Sequence, residues 1–251
     1  MLMDCKTIHV DPFNSMTFFD NCCAEIEAEY GRLGHKIGWR FLSGPKANLN
    51  RTTQVAFITL NPGGTNDPPD HPHESQERGS AYLVENWDGR PAGQSNLQIQ
   101  VGAMFKLLAD RLNVGDYKAL MNETLMGYFI PFRSPDYASL TNKPESVVFA
   151  EQLWSGVFDQ IAPKTVITMD TLTFKHVRKI VADRHPDKAE RHIQVPTGWG
   201  NYRADIVQFG LPDDGLTLVR VPHLSRFGIF TSAKCRVEVV RLMTNINRIS
   251  H

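Results

Sequence analysis

Apolar positions along the chain follow two alternating patterns. Short apolar runs bounded by turn residues occur at residues 54–60 (QVAFITL), 124–130 (TLMGYFI), 164–169 (KTVITM) and 216–221 (LTLVRV). Each has the length of a strand, and a run that is apolar on both faces marks a buried one. Between them lie amphipathic stretches with helical spacing at 15–33, 97–112, 145–161 and 172–182. Ser15 stands where an N-cap belongs, and Gly34 lies just past the end of that first stretch. In the second stretch Ile99, Ala103, Leu107 and Leu108 fall on one face. Thr231 is the expected N-cap of a final helix. Strands alternating with helices of this length predict a parallel sheet covered on both faces.

One stretch breaks the rhythm. Residues 61–95 are rich in Pro, Gly, His and Asp, with no strong period. A connection of that length inside a compact domain is usually functional or mobile. The chain of 251 residues suits one α/β domain with a sizeable core. Residues 1–251 are therefore read as one domain, with 1–50 a helical N-terminal extension and 61–95 a long active-site loop.

Composition narrows the class. Apolar residues make up 41% and charged residues 22%, as in ordinary globular proteins. No apolar run approaches the roughly 20 residues of a membrane span. The opening MLMDCKTIHV lacks the basic-then-apolar build of a signal peptide. The expectation is a cytoplasmic monomer with no membrane partner. The cysteines are Cys5, Cys22, Cys23 and Cys235, and their spacing suits neither a disulfide framework nor a metal site. Reduced thiols and no metal are expected.

Formal net charge is zero, but its distribution is uneven. Residues 216–251 hold six basic residues against one acid, Glu238, whereas 61–90 hold six acids against two bases. A polarised surface of this kind can meet phosphates without a basic total.

In an open parallel sheet, ligands bind beyond the carboxyl ends of the strands. The residues to read are therefore Asn61-Pro62-Gly63-Gly64 after the first strand and Pro131-Phe132-Arg133-Ser134-Pro135 after the second. After the last come Pro222-His223-Leu224-Ser225-Arg226-Phe227. Each loop alone reads as ordinary turn chemistry. Three of them at matching strand ends would converge on one cleft.

With those residues in view, a resemblance emerges. FITLNPGG is similar to the first motif of the uracil-DNA glycosylase superfamily, in which a strand ends in Asn-Pro-Gly or a relative. VPHLSRF resembles the second motif, a histidine followed by a short loop that enters DNA. Between them, FIPFRSP followed by NKPESVVFAEQLWSGVFDQIAPKTVITM resembles the layout of the iron–sulfur bacterial branch. The resemblance runs from about residue 54 to 241. Phe132 stands where that branch carries cysteine, so no iron–sulfur cluster and no other cofactor is expected. Thr59 replaces a usual glycine, and Leu224 a usual proline. The pairing of Asn with His is closest to the single-strand-selective branch.

The resemblance implies a three-layer αβα sandwich around a central, mainly parallel four-stranded sheet. It also implies a monofunctional DNA glycosylase that leaves an abasic site. Asn61 would orient the attacking water, and His223 would donate a hydrogen bond to the departing pyrimidine. A group fixed where charge develops is the largest source of such catalysis, and the base must be flipped out of the stack. Pro62, Gly63 and Gly64 would line the base pocket, with Phe132, Trp87 or Tyr82 as the stacking aromatic. Ser225, Arg226, Phe227 and Arg133 would contact DNA, Phe227 as the wedge that fills the vacated space. The uracil-specific branch places an aromatic after the motif proline and an Asn on the second strand. Gly63 and the strand TLMGYFI carry neither. The expected base is therefore uracil or a 5-modified pyrimidine, including glucosylated hydroxymethylcytosine of phage DNA, and the role repair or phage defence. Two other classes remain open at this point: a DNA-binding module of the same fold without turnover, and a nucleotide hydrolase.

Overall fold

The computed structural model describes residues 17–65, 74–187, 190–210 and 215–246. Helix α1 spans Phe18–Arg32 and β1 spans Val55–Thr59. A short α2 (Ala81–Val84) precedes α3 (Asn96–Leu112), α4 (Tyr117–Glu123) and β2 (Leu125–Tyr128). Then come α5 (Lys143–Gln160), β3 (Thr165–Thr168) and α6 (Thr171–Arg184). A hairpin of β4 (Glu190–Pro196) and β5 (Arg203–Phe209) leads to β6 (Leu216–Arg220) and α7 (Arg236–Thr244).

Among the described residues, the sheet has six strands in the order β2-β1-β3-β6-β5-β4. The first four are mutually parallel, and β5 and β4 extend them antiparallel. The expectation of four strands is thus corrected to six. The missed pair lacks the apolar run that marked the others. Six of the seven β4 residues are exposed or only partly buried, and Val195 is its one buried position. An antiparallel edge wet on one side needs few apolar residues.

Alternation along the buried strands sorts side chains onto two faces. Ala56, Ile58, Val166, Leu218 and Val207 point into one cluster, with α1, α5 and α6. Val55, Phe57, Ile167, Val219 and Ile206 point into the other, with α3 and α7. The molecule is therefore an α/β structure with helices on both faces of a mixed sheet. Helix α1 buries Phe19, Cys22 and Ile26 in the first cluster, so it is part of the core rather than an appendage.

Local signals explain the helix starts. Thr17 caps α1: its hydroxyl accepts from the Asp20 amide at 3.2 Å while Asp20 accepts from the Thr17 amide at 3.0 Å. The expected cap Ser15 lies outside the described residues. Ser95 and Gln98 form the same reciprocal box at α3. The buried face of α3 is Val101, Met104, Phe105, Leu108 and Leu112, whereas Ile99 is 44% exposed. The expected apolar face is thus rotated from Ile99 toward Val101, because Gln98 and Gln100 turn inward as hydrogen-bond donors. Thr231 does not cap a helix. Its hydroxyl accepts from Gln100 Nε2, and a 3-10 turn, Ala233–Cys235, leads into α7 instead.

Residues 74–95 are tied down. The Leu42 amide donates to Glu74 O at 2.8 Å, Gln76 N to Gly44 O at 3.1 Å and Ala81 N to Ser43 O at 2.8 Å. Segment 41–43 in turn lies along β2, through Tyr128 N to Phe41 O at 3.0 Å and Ser43 N to Met126 O at 2.9 Å. Residues 66–73 of the long loop lie outside the described residues. No helix of the described residues is long and apolar enough to cross a membrane. Cys22, Cys23 and Cys235 are buried free thiols, and Cys5 lies outside the described residues.

Candidate active site

The strand ends bring the expected loops to one edge. β1 and β6 both flank β3, so Asn61 and His223 leave strands whose axes lie two spacings apart, about 10 Å. The β2 loop joins the same edge, because Phe129 N donates to Thr59 O at 2.7 Å and Ile130 N to Leu60 O at 2.8 Å.

Asn61 is half-buried and held in one orientation. Its Nδ2 donates to Ser134 Oγ at 2.8 Å and to Pro62 O at 3.1 Å. The Ser134 hydroxyl donates to Asp136 O at 2.8 Å, so its oxygen must accept from Asn61. The amide nitrogen is thereby committed to the protein, which leaves the Asn61 carbonyl oxygen as the end available to a ligand or water. Ser134 has no signal in sequence: it was a loop serine until folding set it opposite Asn61.

Around Asn61, Pro62 is buried while Gly63 and Gly64 are exposed. Among the described residues, a methyl group at Gly63 would meet nothing within 4 Å. Gly64 has φ +101°, a conformation L side chains avoid. Arg133 is 7% exposed, and its Nη1 donates to Gly63 O. It braces the Asn61 loop, and its side chain is largely buried rather than turned outward for the expected contact with DNA.

His223 is half-buried, and its Nδ1 sits 2.8 Å from Ser225 Oγ. Burial lowers its proton affinity below the ordinary value, Asp170 opposes this, and Arg226 adds to it. Asp170 follows β3, the strand between the two loops. One of its oxygens accepts from Thr173 N at 2.7 Å and caps α6. The other, Oδ2, is buried with no hydrogen-bond partner among the described residues. In sequence this carboxylate shows no signal beyond that of a helix N-cap. An NMR titration of the His223 ring should therefore show a midpoint below 6.5. Asp170→Asn, which keeps an N-cap, should lower it further; a midpoint that rises or stays fixed would remove Asp170 from the site.

The three aromatic candidates separate clearly. Phe132 has no exposed surface. Its ring stacks on His35 at 4.2 Å and on Phe149 at 5.7 Å, so it is core and presents no face to a ligand. Tyr82 is 2% exposed, wedged against Phe57 at 5.6 Å and Trp87 at 5.0 Å. Only Trp87 keeps partial exposure, with its Nε1 donating to Glu85 at 2.9 Å. In the last loop Leu224 and Phe230 are buried, Phe227 is half-buried, and Ser225 and Arg226 are exposed.

A cavity of about 350 Å³ lined by Arg51, Lys164, Arg184 and His185 opens at the other end of the sheet, before β3 and β6. It is remote from the loops that carry Asn61 and His223. Among the described residues, no group of three or more His, Cys, Asp or Glu side chains is gathered to hold a metal. No protein-family model matches the chain, and no curated protein matches it.

Proposed function

We propose that the chain is a monofunctional DNA glycosylase of the uracil-DNA glycosylase superfamily, acting on a flipped pyrimidine. The observation that carries this reading is the commitment of the Asn61 amide nitrogen to Ser134 at 2.8 Å. It leaves a carbonyl oxygen at the strand-end cleft, the acceptor needed to orient a water for attack at the sugar.

The chemistry asks for two poles. As the bond between base and sugar breaks, negative charge gathers on the base and positive charge on the ring. His223 serves the first pole. In a neutral ring whose Nδ1 accepts from the Ser225 hydroxyl, the proton sits on Nε2, a donor for the pyrimidine O2. Lowered proton affinity favours that neutral state at pH 7. Because such groups are fixed before the reaction, they stabilise the transition state without reorganising.

The space that the described residues leave open at Gly63 favours a base with a substituent at C5 over plain uracil. Trp87, the one of the three candidate aromatics with a partly exposed ring, is the candidate to stack on it. The test is a panel of oligonucleotides carrying uracil, hydroxymethyluracil, hydroxymethylcytosine or glucosylated hydroxymethylcytosine. Each is treated with the protein and then alkali, and scored for strand cleavage. Cleavage at one or more of the 5-modified bases is expected. Cleavage at uracil alone would overturn the open-pocket reading, and cleavage at none would overturn the glycosylase reading.

A further inference from the structure

The turn between β4 and β5 builds a second feature beside the His223 loop. It closes through Thr197 Oγ1 donating to Tyr202 O at 2.8 Å and Tyr202 N donating to Trp199 O at 3.2 Å. Gly198, at φ +75°, seats it against the 3-10 turn before α7: a Cβ there would lie 2.8 Å from Cys235 Cα. The close approach leaves no room for another residue, so the hairpin tip is rigidly placed.

Three aromatic rings meet at that tip. Phe227 stands 4.2 Å from Tyr202 and 6.5 Å from Trp199, ring centre to ring centre. Lys234 Nζ lies 3.8 Å over the Trp199 ring. Packing covers Trp199 and Phe227 only in part, and Tyr202 remains 50% exposed. Lys234 is exposed, as are Arg203 and Arg226, the chain neighbours of Tyr202 and Phe227. The nearby acid Asp205 is buried and paired with Arg220 and His192. Flat rings at the surface, ringed by cations, suit a nucleobase with its phosphates, since base stacking is sequence-tolerant and the backbone is anionic. Phe227 N donates to His223 O at 3.2 Å, so the shelf adjoins the loop of the proposed cleft.

We propose that the exposed Tyr202 ring, buttressed by Phe227 at a 45° tilt and by Trp199 behind it, is a shelf on which a base of single-stranded DNA stacks, next to the nucleotide held in the cleft. This rests on the glycosylase reading for its orientation but is tested by binding alone. The full chain is titrated into end-labelled oligo(dT), as single strand and as duplex with oligo(dA), and followed by fluorescence anisotropy at several salt concentrations. Tyr202→Ala should weaken single-strand binding about tenfold, with an unchanged dependence on salt, because no phosphate contact is lost. Tyr202→Phe should restore it, since stacking needs the ring and not the hydroxyl. Duplex binding should not respond. Unchanged single-strand binding in Tyr202→Ala, with a native thermal midpoint, would overturn the shelf. So would a loss that Tyr202→Phe fails to restore, or an equal loss on duplex. Base release by the wild type alongside unchanged Tyr202→Ala binding would remove the shelf and keep the glycosylase reading. A Tyr202-dependent affinity without base release on any oligonucleotide would do the reverse.

Discussion

Replacing Asn61 by alanine is expected to slow base release by about 10²–10³-fold on whichever modified oligonucleotide the wild type cleaves. His223→Ala should fall in the same range. The two side chains serve opposite poles of one transition state, so the double variant should be little worse than the poorer single one. Ser134→Ala gives a graded third point. It removes the acceptor that fixes the Asn61 amide but leaves Asn61 itself, so a loss of about tenfold is expected. That loss should appear in kcat with KM nearly unchanged, because Ser134 positions a group and does not bind the base. Asn61 and His223 sit in surface loops and only half-buried, so the thermal midpoint should barely move. Single-turnover strand cleavage and a thermal melt on the same samples check both halves. Wild-type rates in Asn61→Ala and His223→Ala would show that the cleft is not where the chemistry happens.

The largest stability effect should come from Glu85. Its carboxylate accepts from Arg40 at 2.6 and 3.1 Å, from Gln76 at 2.7 Å and from Trp87 at 2.9 Å. The two charged side chains are 1% and 3% exposed. Glu85→Ala leaves the Arg40 charge buried without its partner, which costs about 3–5 kcal/mol and roughly 10 °C of thermal midpoint. A drop of only a degree or two would mean that water enters and rescues Arg40. The same group sets an acid limb. Burial would raise the Glu85 carboxyl, but Arg40, Trp87 and Gln76 outweigh it and hold it at about 2, below the 4.5 of a free side chain. A depressed value means the folded state binds this proton less readily than the unfolded chain. The stabilisation is therefore complete above pH 4.5 and is lost as pH falls from there toward 2. Denaturant melts across that window should show a shallower decline in Glu85→Gln than in the wild type. Trp87 is held by this carboxylate, so the same variants should also loosen the aromatic proposed to stack on the base.

Read from sequence, the four parallel strands and their covering helices were within reach, because burial on both faces writes an unbroken apolar run. VAFIT, LMGY, TVIT and LTLVR each became a strand, within two residues of the expected bounds. That Asn61 and His223 follow parallel strands at one edge was also legible, since the ends of parallel strands face one edge whatever their neighbours are. The β4–β5 hairpin was not legible: β4 is mostly exposed and polar, so it lacks the apolar run that marks a buried strand. Nor was the fate of Phe132 or Arg133. Both stand just past a strand end, where a sequence reading expects ligand contacts. Whether such a side chain faces a cleft or turns inward depends on what packs against it, and here His35, Phe149 and the Gly63 carbonyl do. The chain's own pattern determined which backbone segments are strands and which residues end them. Only the tertiary structure decided which of those residues are tethered, buried or left facing solvent, because contacts between Asn61 and Ser134, or Tyr202 and Phe227, join positions that no local period connects.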